Sequence, residues 1–384
     1  MNKKTNLPEA KGMTYSGTGV SYADMDPFKI LCQQRAAKTS MNAKRFGIYS
    51  AEWSRGESAF IAVSNPSSNG NFVFSHVEEG LGTKNLVADE MSKITGLSYY
   101  YKISQCTLAM IVNDMATLGF SPVTVAMHLA VASSDWFNDK IRVSALVNGW
   151  GDACDLAGCI WAGGETPTLR GIIVPDTALL SGSAVGIPVS NGKDIRAVRP
   201  QSIQSGDAII FFESSGIHAN GLTLARDIAA KLSSGYSTKV MHGRSYGDLL
   251  LAPTHIYCRC VEDLILAGVD VHYGVNITGH GWRKLMRAPQ SLAYVIDKLP
   301  RQLPIFRFIQ KKGPVVDEEA YGNLNMGAGF AVYVPERDVK KALAVCKGYP
   351  FRAYLAGHVE KSEQKKVVIR SKNIVFNADT LAVR

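Results

Sequence analysis

The sequence predicts a two-domain protein that mixes α-helices with β-strands, of the α+β or α/β class. Three observations carry this expectation. Strand-like apolar runs alternate with helix-like amphipathic ones along most of the chain. A turn-rich stretch, Ser190-Asn191-Gly192-Lys193 and then Arg199-Pro200, interrupts the pattern near its middle. The 384 residues, 46% apolar and 20% charged, are enough for two cores of ordinary globular composition. The expected domains are residues 1–195 and 196–384.

The elements follow in order. Residues 1–45 read as an irregular arm with a helix over 27–38. The apolar stretches 58–63 and 71–77 read as strands around the turn Asn65-Pro66-Ser67-Ser68-Asn69-Gly70. Ile103, Leu108, Ile111, Met115 and Leu118 share one face at helical spacing, which predicts a helix over 101–118. Then come a strand (123–131), a helix (141–158), a short strand (159–162) ending in a glycine turn, and a strand (179–185). The second half reads as a strand (208–212), helices over 222–232 and 254–267, a strand (269–273), a short helix (282–286), and strands over 328–334 and 367–375.

Composition narrows the function. The net charge is +9, yet basic residues never run five or six together and no zinc-finger or RNA-recognition signature occurs. That favours phosphorylated small molecules as partners and argues against nucleic acid. No apolar run approaches the ~18 residues of a membrane span. The polar N-terminus lacks the apolar core of a signal peptide, so a soluble cytoplasmic protein is expected. Seven cysteines without a CxxC pair are poorly spaced for a metal and read as reduced, mostly buried thiols.

Five polar or glycine-rich stretches sit beside expected element ends. Glu78-Glu79-Gly80-Leu81-Gly82-Thr83-Lys84 follows a strand. It is either a plain turn or a loop whose backbone approaches a phosphate, with Lys84 as counter-charge and the acids sharing Mg²⁺ with a nucleotide. It lacks Walker A spacing. Asn113-Asp114 inside an apolar helix is costly unless satisfied, by internal hydrogen bonds or by a metal or nucleotide. Gly163-Gly164-Glu165-Thr166 places a carboxylate at a rim. Ser214-Ser215-Gly216-Ile217-His218-Ala219-Asn220-Gly221 and Asn276-Ile277-Thr278-Gly279-His280-Gly281 are strand–loop–helix junctions, where α/β sheets usually hold ligands.

Taken in order, these stretches resemble the aminoimidazole ribonucleotide (AIR) synthetase family, the phosphoribosylformylglycinamidine cyclo-ligases, across nearly the whole chain. Glu79–Lys84 looks like the family's Asp-Gly-Val-Gly-Thr-Lys, and Asn113-Asp114 with Gly119 and Pro122 like its Val-Asn-Asp segment. Gly163–Thr166 equals its Gly-Gly-Glu-Thr. Ser214–Gly221, Leu250–Tyr257, Thr278–Gly281 and Asn325–Gly329 match further motifs, while Tyr15–Val20 and Gly357–Val359 match at the ends. Departures are Glu79 for Asp, Ser16 for a basic residue, Asn276 for His, and His280 for Gly.

The resemblance implies a two-domain PurM-like fold. N-terminal sheets would pair into a barrel in a homodimer, beside a C-terminal α/β domain. It implies ATP and Mg²⁺ as cofactors and ring closure of formylglycinamidine ribonucleotide in purine biosynthesis. Asp114, Glu165 and His218 would be catalytic, with Glu79 and Asp114 holding Mg²⁺. ATP would lie on Glu79, Gly80, Gly82, Thr83, Lys84, Asn113, Gly163, Gly164 and Thr166. The phosphorylated substrate would meet Ser214, Ser215, Gly216, Asn220, Thr278 and Gly279. The departures leave open a relative that phosphorylates another amide, or a nucleotide-binding paralogue without catalysis.

Overall fold

The computed structural model describes residues 12–64, 72–190, 198–241 and 243–381. The expected turn at 65–70 and residues 191–197 of the expected domain boundary lie outside them. Two sheets carry the two halves. The first is built from β1 (Tyr49–Ser50), β2 (Phe60–Val63), β3 (Phe72–Gly80), β4 (Phe120–Val131), β5 (Ile160–Glu165) and β6 (Ala178–Pro188), ordered β1-β2-β3-β6-β4-β5. All neighbours run antiparallel except β4 and β5. Helices α1 (Tyr22–Ala37), α2 (Lys84–Thr95), α3 (Tyr100–Ala116) and α4 (Lys140–Ala157) belong to this half.

Helix α3 forms where the periodicity predicted it. Ile103, Leu108, Ile111 and Met115 are fully buried, and the helix packs on β3, β6 and α4. Asp139 caps α4 by accepting the Arg142 N–H, and Gly158 ends it in the left-handed conformation (φ +72°). Helix α2 is absent from the sequence expectation, which read Gly80–Lys84 only as a loop; it starts at Lys84 and ends at Gly96. The glycine turn expected after residue 162 is not a turn. Gly163, Gly164 and Glu165 continue β5 alongside Ala126, Met127 and His128, after a register shift. A Cβ on Gly164 would stand 2.0 Å from the Met127 carbonyl oxygen, so glycine is needed for the pairing itself.

The second half comprises β7 (Asp207–Glu213), α5 (Leu222–Lys231), a small ribbon of β8 (Lys239–Met241) and β9 (Arg244–Ser245), α6 (Tyr246–Leu250), α7 (Cys258–Leu266), β10 (Tyr273–Asn276), β11 (Leu292–Ile296), α8 (Pro304–Lys312), α9 (Asp317–Asn323), β12 (Ala328–Pro335), α10 (Val339–Cys346), β13 (Ala353–Lys361), β14 (Lys366–Ile369) and β15 (Ile374–Asn377). The main sheet runs β10-β12-β7-β13-β11-β14-β15. Strand β7 lies inside it and is buried along almost its whole length, as its apolar run implies. The single strand expected over 367–375 is instead an antiparallel hairpin turning at Asn373 (φ +54°). Residues 254–257 are irregular, and α7 begins at Cys258.

One continuous apolar core joins the halves. Polar contacts from α2 and α3 reinforce the join. Gln105 donates to the Thr254 carbonyl (2.8 Å). Asn113 donates to the His255 carbonyl (2.9 Å) and accepts the Tyr257 N–H (2.7 Å). The Leu250–Tyr257 motif is thus an inter-half seam. Among the described residues, no helix is long and apolar enough to cross a membrane, and all seven cysteines are free.

Candidate functional site

A cleft of about 570 Å³ opens between the halves. The end of β3 brings Glu79, Gly80 and Gly82 to it, and α3 brings Asp114. Ala219 and Asn220 come from the loop after β7, and Thr278, Gly279, His280, Lys284 and Arg287 from the segment after β10. Side chains alternate along a strand, so the two acids of β3 part company. Glu79 faces the cleft, whereas Glu78 lies in a separate shallow hollow with His128, Gly164 and Glu165.

Charge is concentrated in the cleft. Burial, and then the neighbouring Asp114 carboxylate, push the Glu79 carboxyl up to about 7, with Lys284 and Arg287 partly offsetting them. Asn276 donates to Asp114 Oδ1 (2.7 Å) and so fixes its orientation. Lys284 hydrogen-bonds the Thr278 hydroxyl, and burial holds its ammonium down to about 8 despite the pull of Asp114. Arg287 donates to the Gly56 carbonyl (2.7 Å) and the Ser58 hydroxyl (2.6 Å), pinning the segment that forms one wall. Two hard-oxygen carboxylates beside basic groups suit a divalent cation shared with phosphate oxygens.

The contact between Gly82 and Ala219 is bracketed by unpartnered polar atoms. A Cβ on Gly82, which is left-handed (φ +67°), would lie 3.6 Å from the Ala219 carbonyl oxygen. Thr83 Oγ1, His218 Nε2 and Asn220 Nδ2 are all buried without a hydrogen-bond partner. Burial, with the charges of His255 and Lys84, holds the His218 imidazole well below its ordinary range, so the ring is neutral.

The other expected site residues stand elsewhere. Lys84 is fully buried, and its ammonium donates to the His218 (2.9 Å) and Ala252 (2.8 Å) carbonyls. It ties the two halves together and is not presented to the cleft. Asn113 is spent on the seam described above. Ser214 bonds Asn325 (2.9 Å), which in turn donates to the Gly216 carbonyl, and Ser215 bonds the Pro253 carbonyl. All three shape the loop that carries His218 and Asn220. Gly163, Gly164, Glu165 and Thr166 occupy the exposed edge of the first sheet, where Glu165 accepts the Thr166 N–H (3.2 Å). Lys284, Arg287 and the α1 residues Tyr22 and Lys29 were not singled out from sequence. Two basic residues three apart, after a strand and a glycine loop, were the available signal for the first two.

Comparisons with known proteins speak for the family and the fold. The model for the AIR synthase related protein N-terminal domain matches residues 72–187, and that for the C-terminal domain matches residues 204–370. A phosphoribosylformylglycinamidine cyclo-ligase of Methanococcus maripaludis is 33% identical over 285 residues, covering 74% of this chain and 77% of its own. One from Methanocaldococcus jannaschii is 31% identical over 358 residues, covering 91% and 93%. Among solved structures, a HypE–HypF complex matches with a TM-score of 0.58 at 16% identity, covering 84% of this chain and 93% of that one. HypE in complex with ATP matches at 0.55 and 16%, covering 81% and 87%. T. maritima PurL complexed with FGAR matches at 0.51 and 12%, covering 94% and 54%. The structural likenesses speak for the fold alone.

Proposed function

The chain belongs to the phosphoribosylformylglycinamidine cyclo-ligase family, and we propose that it carries out that family's ATP-dependent ring closure in the cleft between its halves. The γ-phosphoryl group of ATP passes to the formyl amide oxygen of formylglycinamidine ribonucleotide. The amidine nitrogen attacks the activated carbon, and phosphate leaves with the oxygen as the imidazole closes. ADP and phosphate are released with aminoimidazole ribonucleotide. The observation that carries this reading is the convergence of Glu79, Asp114 and Lys284 in one cleft.

Each residue has work that needs no covalent chemistry. Glu79 and Asp114 are the residues that would hold Mg²⁺, which neutralises charge on the transferring phosphoryl group when bound. Lys284 supplies a fixed positive charge beside them. The unpartnered donors of Thr83 and Asn220 suit anionic oxygens at the Gly82–Ala219 rim. His218 is buried with its ring near Tyr257 and its basicity depressed, so it supports the loop that carries Asn220 and takes up no proton in the cleft. Glu165 reaches a reacting group only if a second subunit brings it there. The open face of the first sheet offers the means. Phe60, Leu179, Val185 and Ile187 are exposed on it, opposite the face that packs on α3. A homodimer pairing these faces covers them, and a cytoplasmic enzyme of purine biosynthesis is the setting this chemistry fits.

The test is product analysis with ATP, Mg²⁺ and formylglycinamidine ribonucleotide. ADP and aminoimidazole ribonucleotide in equal amounts are expected, and Asp114→Ala lowers the rate by roughly 10²–10³-fold while the fold survives. ATP binding with neither product made by the wild type overturns the reading and favours a non-catalytic role.

A further inference from the structure

Helix α1 is attached to the protein almost entirely through one end. Met25, Phe28 and Leu31 are 44%, 69% and 63% exposed, and Tyr22 alone among its apolar side chains packs against the core. Pro27 lies inside the helix and removes one of its backbone hydrogen bonds. Such a segment sits at the low end of local stability. Yet α1 supplies Tyr22, Met25, Phe28, Lys29, Cys32 and Gln33 to the cleft wall.

The anchor is His280. Its ring stacks on Tyr22 with centroids 3.6 Å apart and planes 17° from parallel. Its backbone N–H donates to the Tyr22 hydroxyl (2.8 Å), and Nε2 lies 3.3 Å from Asp26 Oδ2. Among the described side chains of α1, Asp26 is the buried polar one. His280 holds φ +64°, a conformation disfavoured for a residue with a Cβ. Such strain persists only where the surroundings over-determine it. The neighbouring Gly279 permits the approach, since a Cβ there would stand 2.8 Å from the Tyr22 hydroxyl.

We propose that His280 is a positioning residue that clamps α1 over the cleft, so that α1 forms a detachable wall that opens to admit substrate and closes on the loaded site. The clamp uses few contacts, one stacked ring pair and two polar contacts, which a wall that must open requires. This rests on the reading of the cleft as the ring-closing site.

His280→Gly tests it, because glycine adopts φ +64° freely. The substitution deletes the ring and keeps the loop. Tryptic cleavage after Lys29 and Arg35 is followed with and without a non-hydrolysable ATP analogue and Mg²⁺, alongside steady-state kinetics. Cleavage in α1 is expected to quicken about tenfold in the variant, as loss of a stacked pair and a hydrogen bond implies. The analogue protects α1 in the wild type and protects it less in the variant. KM rises about tenfold while kcat falls by a smaller factor. Equal cleavage and equal KM in both proteins overturn the proposal, as does a loss confined to kcat. Should His280→Gly fail to fold, Tyr22→Ala, which removes the partner ring from the α1 side, carries the same expectations and the same refutation. A wild type that forms no product refutes the ring-closing reading, while the cleavage comparison still decides the clamp.

Discussion

At the scale of single residues, two buried charges govern behaviour the cleft alone does not show. Lys284 is a cation facing Glu79 and Asp114. Lys284→Met is expected to raise KM for ATP by roughly tenfold or more, and Lys284→Arg to recover part of it, as read from initial rates against ATP. The second is His272, whose Nδ1 lies 2.7 Å from Asp207 Oδ2 at the start of β7. Burial alone would depress its pKa, but the hydrogen bond and charge of Asp207, with Asp270, outweigh burial and raise it. The folded protein therefore binds this proton more tightly than the unfolded chain. The stability it brings is complete below the ordinary histidine range and is lost as pH rises through the raised value. Thermal midpoints measured across that range should fall with rising pH, and His272→Gln should flatten this part of the profile.

At the scale of elements, legibility tracked local pattern. Helix α3 and strands β4 and β7 were readable because burial on one side, or on both, writes itself into the apolar spacing. Helix α1 begins five residues earlier than expected, at Tyr22, whose ring stacks on His280. Strand β5 is longer than the sequence predicts because Gly163-Gly164 is ordinarily turn chemistry; here the glycines let β5 run close beside β4. Gly164→Val should therefore unpair this edge. Faster amide exchange over 160–165, with unchanged protection in α3, is the expected readout. Equal exchange in both proteins would show that the close approach to Met127 is not required. Helices α8, α9 and α10 and strands β11 and β13 were missed; most are short segments whose apolar residues gain meaning only against neighbouring strands.

At the scale of the whole molecule, the halves are joined by groups that the resemblance assigned to ATP binding. Lys84 and Asn113 reach across to the carbonyls of His218, Ala252 and His255. Lys84→Met should lower the thermal midpoint, because the carbonyls it satisfies lose their donor, a cost of about 1–3 kcal/mol. The uncovered sheet face makes an assembly prediction. Light scattering should give a mass near twice 41.6 kDa, and Val185→Glu on that face should return it to the single-chain value. A wild-type mass of one chain at micromolar concentration would refute the sheet-paired dimer.

The mixed α and β class and the family were legible in the residues alone, and the motifs named Glu79, Asp114, Asn220, Thr278 and Gly279, which the cleft brings together. These are properties of residue type and spacing along the chain, and glycine, acid and hydroxyl patterns carry them locally. Which of the motif residues share a space was settled by packing. It sent Glu79 and Glu78 to opposite faces, turned Lys84 and Asn113 inward to the seam, and left Glu165 on an open edge. It also brought Lys284 and Arg287 to the acids and set His280 against Tyr22, more than 250 residues away. No local pattern encodes such meetings, because they depend on how two sheets distant in sequence pack and on which buried polar atoms find partners across that contact.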